Sequence, residues 1–133
     1  MAPFGQGEGL AHEMRKLPVF ELDDLRVDDV HVLVPHGEID ALTAPTLGRR
    51  MLELIEEGMS RLVVDLSETT FMDSTGLGVL INGLRQTDRK QGKLVLVCPT
   101  ERIMRPFEIT GLHNHLSIVK TRDEALSAFA HSA

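Results

Sequence analysis

The chain has 133 residues, 42% of them hydrophobic and 26% charged, with a formal net charge of −6, the size and balance of one soluble domain around one core. The acidic balance argues against a protein built to sit on phosphate backbones, and a single cysteine, Cys98, excludes an internal disulfide or a cysteine-rich metal site. No apolar run approaches the roughly 20 residues of a membrane span, and the first residues lack the apolar stretch of a signal peptide. A cytoplasmic protein with no direct nucleic-acid or membrane partner is therefore expected.

Residues 1–17 mix glycine, proline and charge without a period and read as a disordered arm, leaving 18–133 as the domain. Strand-like stretches follow at 19–27 and 30–36, with Asp28-Asp29 between them as a tight turn, so an antiparallel hairpin is predicted. After Gly37 the period changes. Thr43 is placed to cap a helix and Pro45 suits its first turn. Leu47, Met51, Leu54 and Ile55 recur at helical spacing up to a stop at Gly58.

"RLVVDL" (61–66) is short, branched and apolar on both faces, the pattern of a strand buried between helices. The next helix carries the stripe Leu77, Leu80, Ile81 and Leu84 and ends at Gly92. "KLVLV" (93–97) is a second buried strand, with Cys98 at its end as a buried, inert thiol. A helix is predicted over 101–110 with Ile103, Met104 and Phe107 inward and Gly111 as its stop, kinked or shortened by Pro106. A last strand at 116–119 leads to Thr121-Arg122-Asp123-Glu124, a capping box that opens a final helix over 125–130. Strands alternating with helices predict an α/β domain. Its central sheet should be mostly parallel, with an antiparallel hairpin at the N-terminal edge and about four flanking helices.

The residues offer little conventional chemistry. His113 and His115 form an H-x-H without further ligands nearby, and no H-E-x-x-H, C-x-x-C or phosphate-cradling G-x-x-x-x-G-K-[ST] occurs. Ser74, in "FMDSTGLGVL" (71–80), has Met72 where a hydrolase elbow needs glycine, and no activating histidine at a known spacing. The carboxylates of "GEID" (37–40) have no partner group and read as a polar loop. Ser74 is thus left as a helix N-cap, its hydroxyl accepting from the N–H of Gly76 or Leu77, a contribution of about 1 kcal/mol. Gly76 and Gly78 weaken that helix start by roughly 1 kcal/mol each. Bare glycines let another molecule approach the backbone, which suggests a docking surface.

"FMDSTGLGVL", after "VVDLSETT" and before "GKLVLV" and "ITGL", resembles the STAS domain family over residues 19–130. With "GEIDALTAPTL" (37–47) it is similar, more narrowly, to the stand-alone anti-sigma factor antagonists of bacteria. The resemblance implies a single STAS domain without catalytic activity or cofactor that works by partner switching. Its unphosphorylated form would bind an anti-sigma factor that is also an ATP-dependent serine kinase, releasing a sigma factor. Phosphorylation at Ser74, with Thr75 the alternative acceptor, would block that binding, and a PP2C-type phosphatase would reset it. Asp73, Thr75, Gly76, Leu77, Gly78 and Asn82 fall on the docking surface the family implies, and Asp40 on a position flanking the phosphorylation site. A monomer or weak dimer is expected. The other readings are a signalling or nucleotide-binding module that does not act on a sigma factor, and a module of a transporter or stress-sensing assembly.

Overall fold

The computed structural model describes residues 20–130; the arm expected at 1–17 lies outside the described residues. Strand β1 (Glu21–Val27) turns back through Asp28, whose φ of 57° suits a tight hairpin, into the long β2 (Val30–Ile39). Helix α1 (Ala44–Glu56), β3 (Arg61–Asp65) and a 3₁₀ turn at Leu66–Glu68 follow, then β4 (Thr69–Met72) and α2 (Ser74–Arg89). The chain continues through β5 (Lys93–Val97), α3 (Glu101–Ile109), a 3₁₀ turn at Leu112–Asn114, β6 (Ser117–Val119) and α4 (Arg122–Ala130).

The sheet runs β1-β2-β3-β5-β6, with β1 antiparallel to β2 and every other pairing parallel. This is the predicted α/β architecture with its antiparallel edge. Alternation along β3 and β5 divides the core. Leu62, Val64, Leu94 and Leu96 face the layer of α1, α2 and α3, where Leu47, Met51, Leu80 and Phe107 are buried. Val63, Val95 and Val97 face α4 through Ala125 and Phe129. Arg61 and Lys93, at the starts of β3 and β5, lie over the Phe129 ring and donate to the carbonyls of Phe129 (2.9 Å) and Ala128 (3.2 Å). Cations at these carbonyls hold down the C-terminal end of α4.

Four details differ from the sequence expectations. Strand β2 runs to Ile39 rather than residue 36 because it forks: residues 31–33 pair with β3, and residues 37–39 pair with β4. A register shift sits at Gly37, whose φ of 98° turns the strand from one partner to the other. The second difference is β4 itself. Only Thr69 and Met72 of its four residues are buried, too short an alternation to register as a strand. Third, α3 passes through Pro106. The proline forgoes one bond to the Arg102 carbonyl, but its own carbonyl accepts from the Thr110 N–H (3.2 Å) and hydroxyl (2.6 Å), which closes the last turn. Finally, α4 starts at Arg122, not 125. The Thr121 hydroxyl accepts from the Glu124 N–H (3.1 Å), and the buried Asp65 carboxylate pairs with Arg122 in the first turn (3.0 Å).

Cys98 is buried at the end of β5, at 4% exposure, and burial pushes its thiol up from 9.0 to about 11. A group with a raised folded value stabilises the fold below the unfolded value, so this contribution is lost as pH climbs from 9.0 toward 11. At pH 8 the thiol stays in its protonated, unreactive form. Iodoacetamide at pH 8 is therefore expected to leave the native chain unlabelled over a period in which the urea-unfolded chain reacts fully. Equal labelling rates would contradict the burial.

Candidate functional site

The fork in β2 builds the site. Strands β2 and β4 run side by side and end together, with Ile39 opposite Met72 and the Asp73 N–H donating to the Ile39 carbonyl at 3.1 Å. Beyond that bond the two chains part, one into the loop at 40–43 and the other into α2. The topology thus brings Asp40 and Asp73-Ser74, 33 positions apart in the sequence, to one edge of the sheet.

The cap of α2 is Asp73, not Ser74. Asp73 has extended backbone (φ −99°, ψ −172°), and its Oδ1 accepts from the N–H groups of Thr75 (2.9 Å) and Gly76 (3.3 Å). A carboxylate caps as well as a serine and also complements the positive end of the helix dipole, so the earlier residue takes the role. Ser74 becomes the first helical residue. It is exposed, and its hydroxyl makes no hydrogen bond among the described residues. Asp73→Ala is accordingly expected to lower stability by about 1 kcal/mol, while Ser74→Ala stays within about 0.5 kcal/mol of wild type. Urea unfolding of the two variants measures this, and equal losses would return the cap to Ser74.

The helix start has two sides. Gly76 is buried, and a Cβ there would lie 2.5 Å from Met72 Cγ and 2.8 Å from Ile39 Cγ2. Its bareness serves packing against β2 and β4, which corrects the expectation that it opens the backbone to a partner. Leu77 likewise points into the core. Ser74, Gly78 and Asn82 are exposed and recur every fourth residue, a single stripe on the outer face, with exposed Thr75 beside it. Nothing lies within 4 Å of a Cβ placed at Gly78. Of the two glycines, only Gly78 leaves the surface bare.

The loop at 40–43 is tied to itself. Asp40 Oδ1 accepts from the N–H groups of Leu42 (2.9 Å) and Thr43 (3.1 Å). Thr43 stands at the start of α1, but its hydroxyl does not cap the helix. It accepts from the Asp40 N–H (2.9 Å) and donates to the Glu38 carbonyl (2.6 Å). Two large apolar residues that sequence reasoning did not single out stand exposed here, Leu42 at 88% and Phe71 at 43%. A leucine inside the polar turn "DALT" was the available signal.

Elsewhere, His113 Nδ1 lies 3.1 Å from the Phe107 carbonyl, a local bond to the chain. Among the described residues no cluster of histidine, cysteine and carboxylate could hold a metal ion, and no helix is long and apolar enough to cross a membrane. The arrangement offers an accessible hydroxyl at a capped helix start, framed by a braced loop.

Known proteins resemble this chain in sequence and in fold. The family model described as STAS domain matches residues 22–125. The anti-sigma-B factor antagonist of Listeria monocytogenes is 39% identical over 106 residues, covering 78% of this chain and 90% of its own. The anti-sigma-B factor antagonist of Bacillus subtilis is 37% identical over 91 residues, covering 68% and 82% respectively. The crystal structure of an anti-sigma factor antagonist from Mycobacterium paratuberculosis superposes with a TM-score of 0.77 at 30% identity, covering 83% of this chain and 93% of that one.

Proposed function

The chain belongs to the STAS domain family, and from that premise we propose that it is an anti-sigma factor antagonist switched by phosphorylation at Ser74. In its unphosphorylated form it binds an anti-sigma factor that is also a serine kinase, and a sigma factor is released. The observation that carries this reading is the free, exposed Ser74 hydroxyl, spared from capping duty by Asp73. Asp40, Thr75, Gly78 and Asn82 frame the contact, while Gly76 and Leu77 support it from beneath.

The chemistry asks little of the chain. Ser74 Oγ attacks the γ-phosphorus of ATP held with Mg²⁺ by the kinase. The bond to ADP breaks, and the hydroxyl proton passes to a base on the kinase. The antagonist supplies an acceptor and catalyses nothing itself. It acts in the cytoplasm, where that ATP is found. The product carries about −1.5 to −2 charges at neutral pH. A helix N-terminus tolerates them, so the fold persists. The same charge pressed into an interface beside Asp73 is desolvated next to a carboxylate, and the complex is lost. A PP2C-type phosphatase restores the hydroxyl.

The test is incubation of the purified chain with ATP, Mg²⁺ and the purified anti-sigma serine kinase of the same cell. Intact mass and peptide mapping across residues 61–85 are then expected to place one phosphate on Ser74. Ser74→Ala should take up none. A phosphate on Thr75, or no phosphate at all, would overturn the assignment.

A further inference from the structure

We propose that Leu42 is a docking anchor, a preformed apolar peg that enters an apolar socket on the serine kinase. This inference rests on the kinase-binding reading above and names the chemistry by which that partner is held. At 88% exposure Leu42 is the most exposed large hydrophobic residue described, and it contributes almost nothing to the core. Its turn is nonetheless among the most heavily braced loops of the molecule. Asp40 Oδ1 holds the Leu42 and Thr43 amides, and the Thr43 hydroxyl joins the Asp40 N–H to the Glu38 carbonyl. Four hydrogen bonds hold a side chain that touches little of its own protein.

The bracing fixes Leu42 relative to the switch. Ile39, three residues before Leu42, accepts from the N–H of Asp73, the residue before Ser74. Three residues span at most about 11 Å, so Leu42 stands within one partner's footprint of the serine. Phe71, 43% exposed, stands opposite Glu38 in the β2–β4 pair, two residues before the loop begins. A rigid turn keeps its geometry on binding and loses little freedom there. Transfer of a leucine side chain from water into an apolar socket shifts an equilibrium by at least about tenfold. Asp40 and Thr43 are then positioning residues. Asp40 Oδ1 and the Thr43 hydroxyl are engaged within the turn, so besides any direct contact by Asp40 they act on the partner through Leu42.

The experiment measures the affinity of the purified kinase for wild type, Leu42→Ala, Leu42→Met, Thr43→Val, the Leu42→Ala/Thr43→Val double variant and Ser74→Glu. Leu42→Ala is expected to bind at least about tenfold more weakly with an unchanged melting temperature, and Leu42→Met to retain most of the affinity. Thr43→Val should weaken binding in the wild-type background and have little further effect beside Leu42→Ala, because a loosened turn matters only while it carries the peg. If Ser74→Glu loses binding while Leu42→Ala binds as wild type, the anchor is refuted and the phosphorylation switch stands. If wild type does not bind, the kinase-binding reading falls and the anchor with it; if Ser74→Glu binds as wild type, the charge switch falls while Leu42→Ala still decides the anchor.

Discussion

Ser74→Glu is expected to bind the anti-sigma kinase about a hundredfold more weakly than wild type while unfolding at no lower denaturant concentration. A hundredfold is about 2.7 kcal/mol, within reach of one carboxylate forced dry against a second. The second is Asp73, which already spends its Oδ1 on the Thr75 and Gly76 amides and cannot turn away without uncapping the helix. Stability should not suffer, because an acidic residue in the first turn of a helix is worth about 0.3–1 kcal/mol in its favour. Ser74→Ala keeps the small neutral surface and should stay bound under conditions that release the phosphorylated wild type. Isothermal titration against the kinase, with urea unfolding of the same samples, separates the two effects. Wild-type affinity in Ser74→Glu would remove the charge mechanism, and a joint loss of affinity and stability would place Ser74 in the fold.

Gly76→Val is expected to destabilise the fold by about 3 kcal/mol, the upper part of the usual overpacking range. A first Cβ already lies within 2.8 Å of two side chains, Met72 and Ile39. Ile39 is fully buried and Met72 nearly so, so neither has solvent to move into. The branched side chain adds two methyls to the same gap. Any gain in helix propensity, at most about 1 kcal/mol over glycine, is too small to compensate. The matching substitution two residues on, Gly78→Ala, meets nothing within 4 Å and should be neutral or stabilising. Denaturant unfolding with an unchanged slope reads both effects. A tolerated Gly76→Val would mean that α2 sits farther from β2 and β4 than these distances allow.

That pair of glycines shows where sequence reading stops. Gly76 and Gly78 look alike in "STGLG", yet at about 100° per residue they stand some 200° apart around the helix. Which of them faces inward depends on how α2 seats on β2 and β4. The expected stripe of α2 was right at Leu77 and Leu80, but Ile81 and Leu84 are only half-buried while Gly83 and Thr87 are buried. Small residues there let α1 approach: a Cβ at Gly83 would run into the end of the Met51 side chain. Strands β3 and β5 were legible because both their faces are covered, which leaves unbroken apolar runs. Strand β4 was not, since its pairing partner is the far end of β2. The cap was ambiguous for a local reason, because Asp73 and Ser74 are both good caps and only the backbone at 73 decides between them.

The division of labour between Asp73 and Ser74 also bears on how such a protein can diverge. The residues that hold the helix start, Asp73, Gly76 and Leu77, are distinct from those on its outer face, Ser74, Thr75, Gly78 and Asn82. Substitutions on the outer face cost little stability, so that face can drift while the core stays put. If this face docks the kinase as proposed, two copies arising by gene duplication can become insulated from each other's kinases through changes at Thr75, Gly78 or Asn82 alone. Neither copy would have to pass through a poorly folded intermediate on the way.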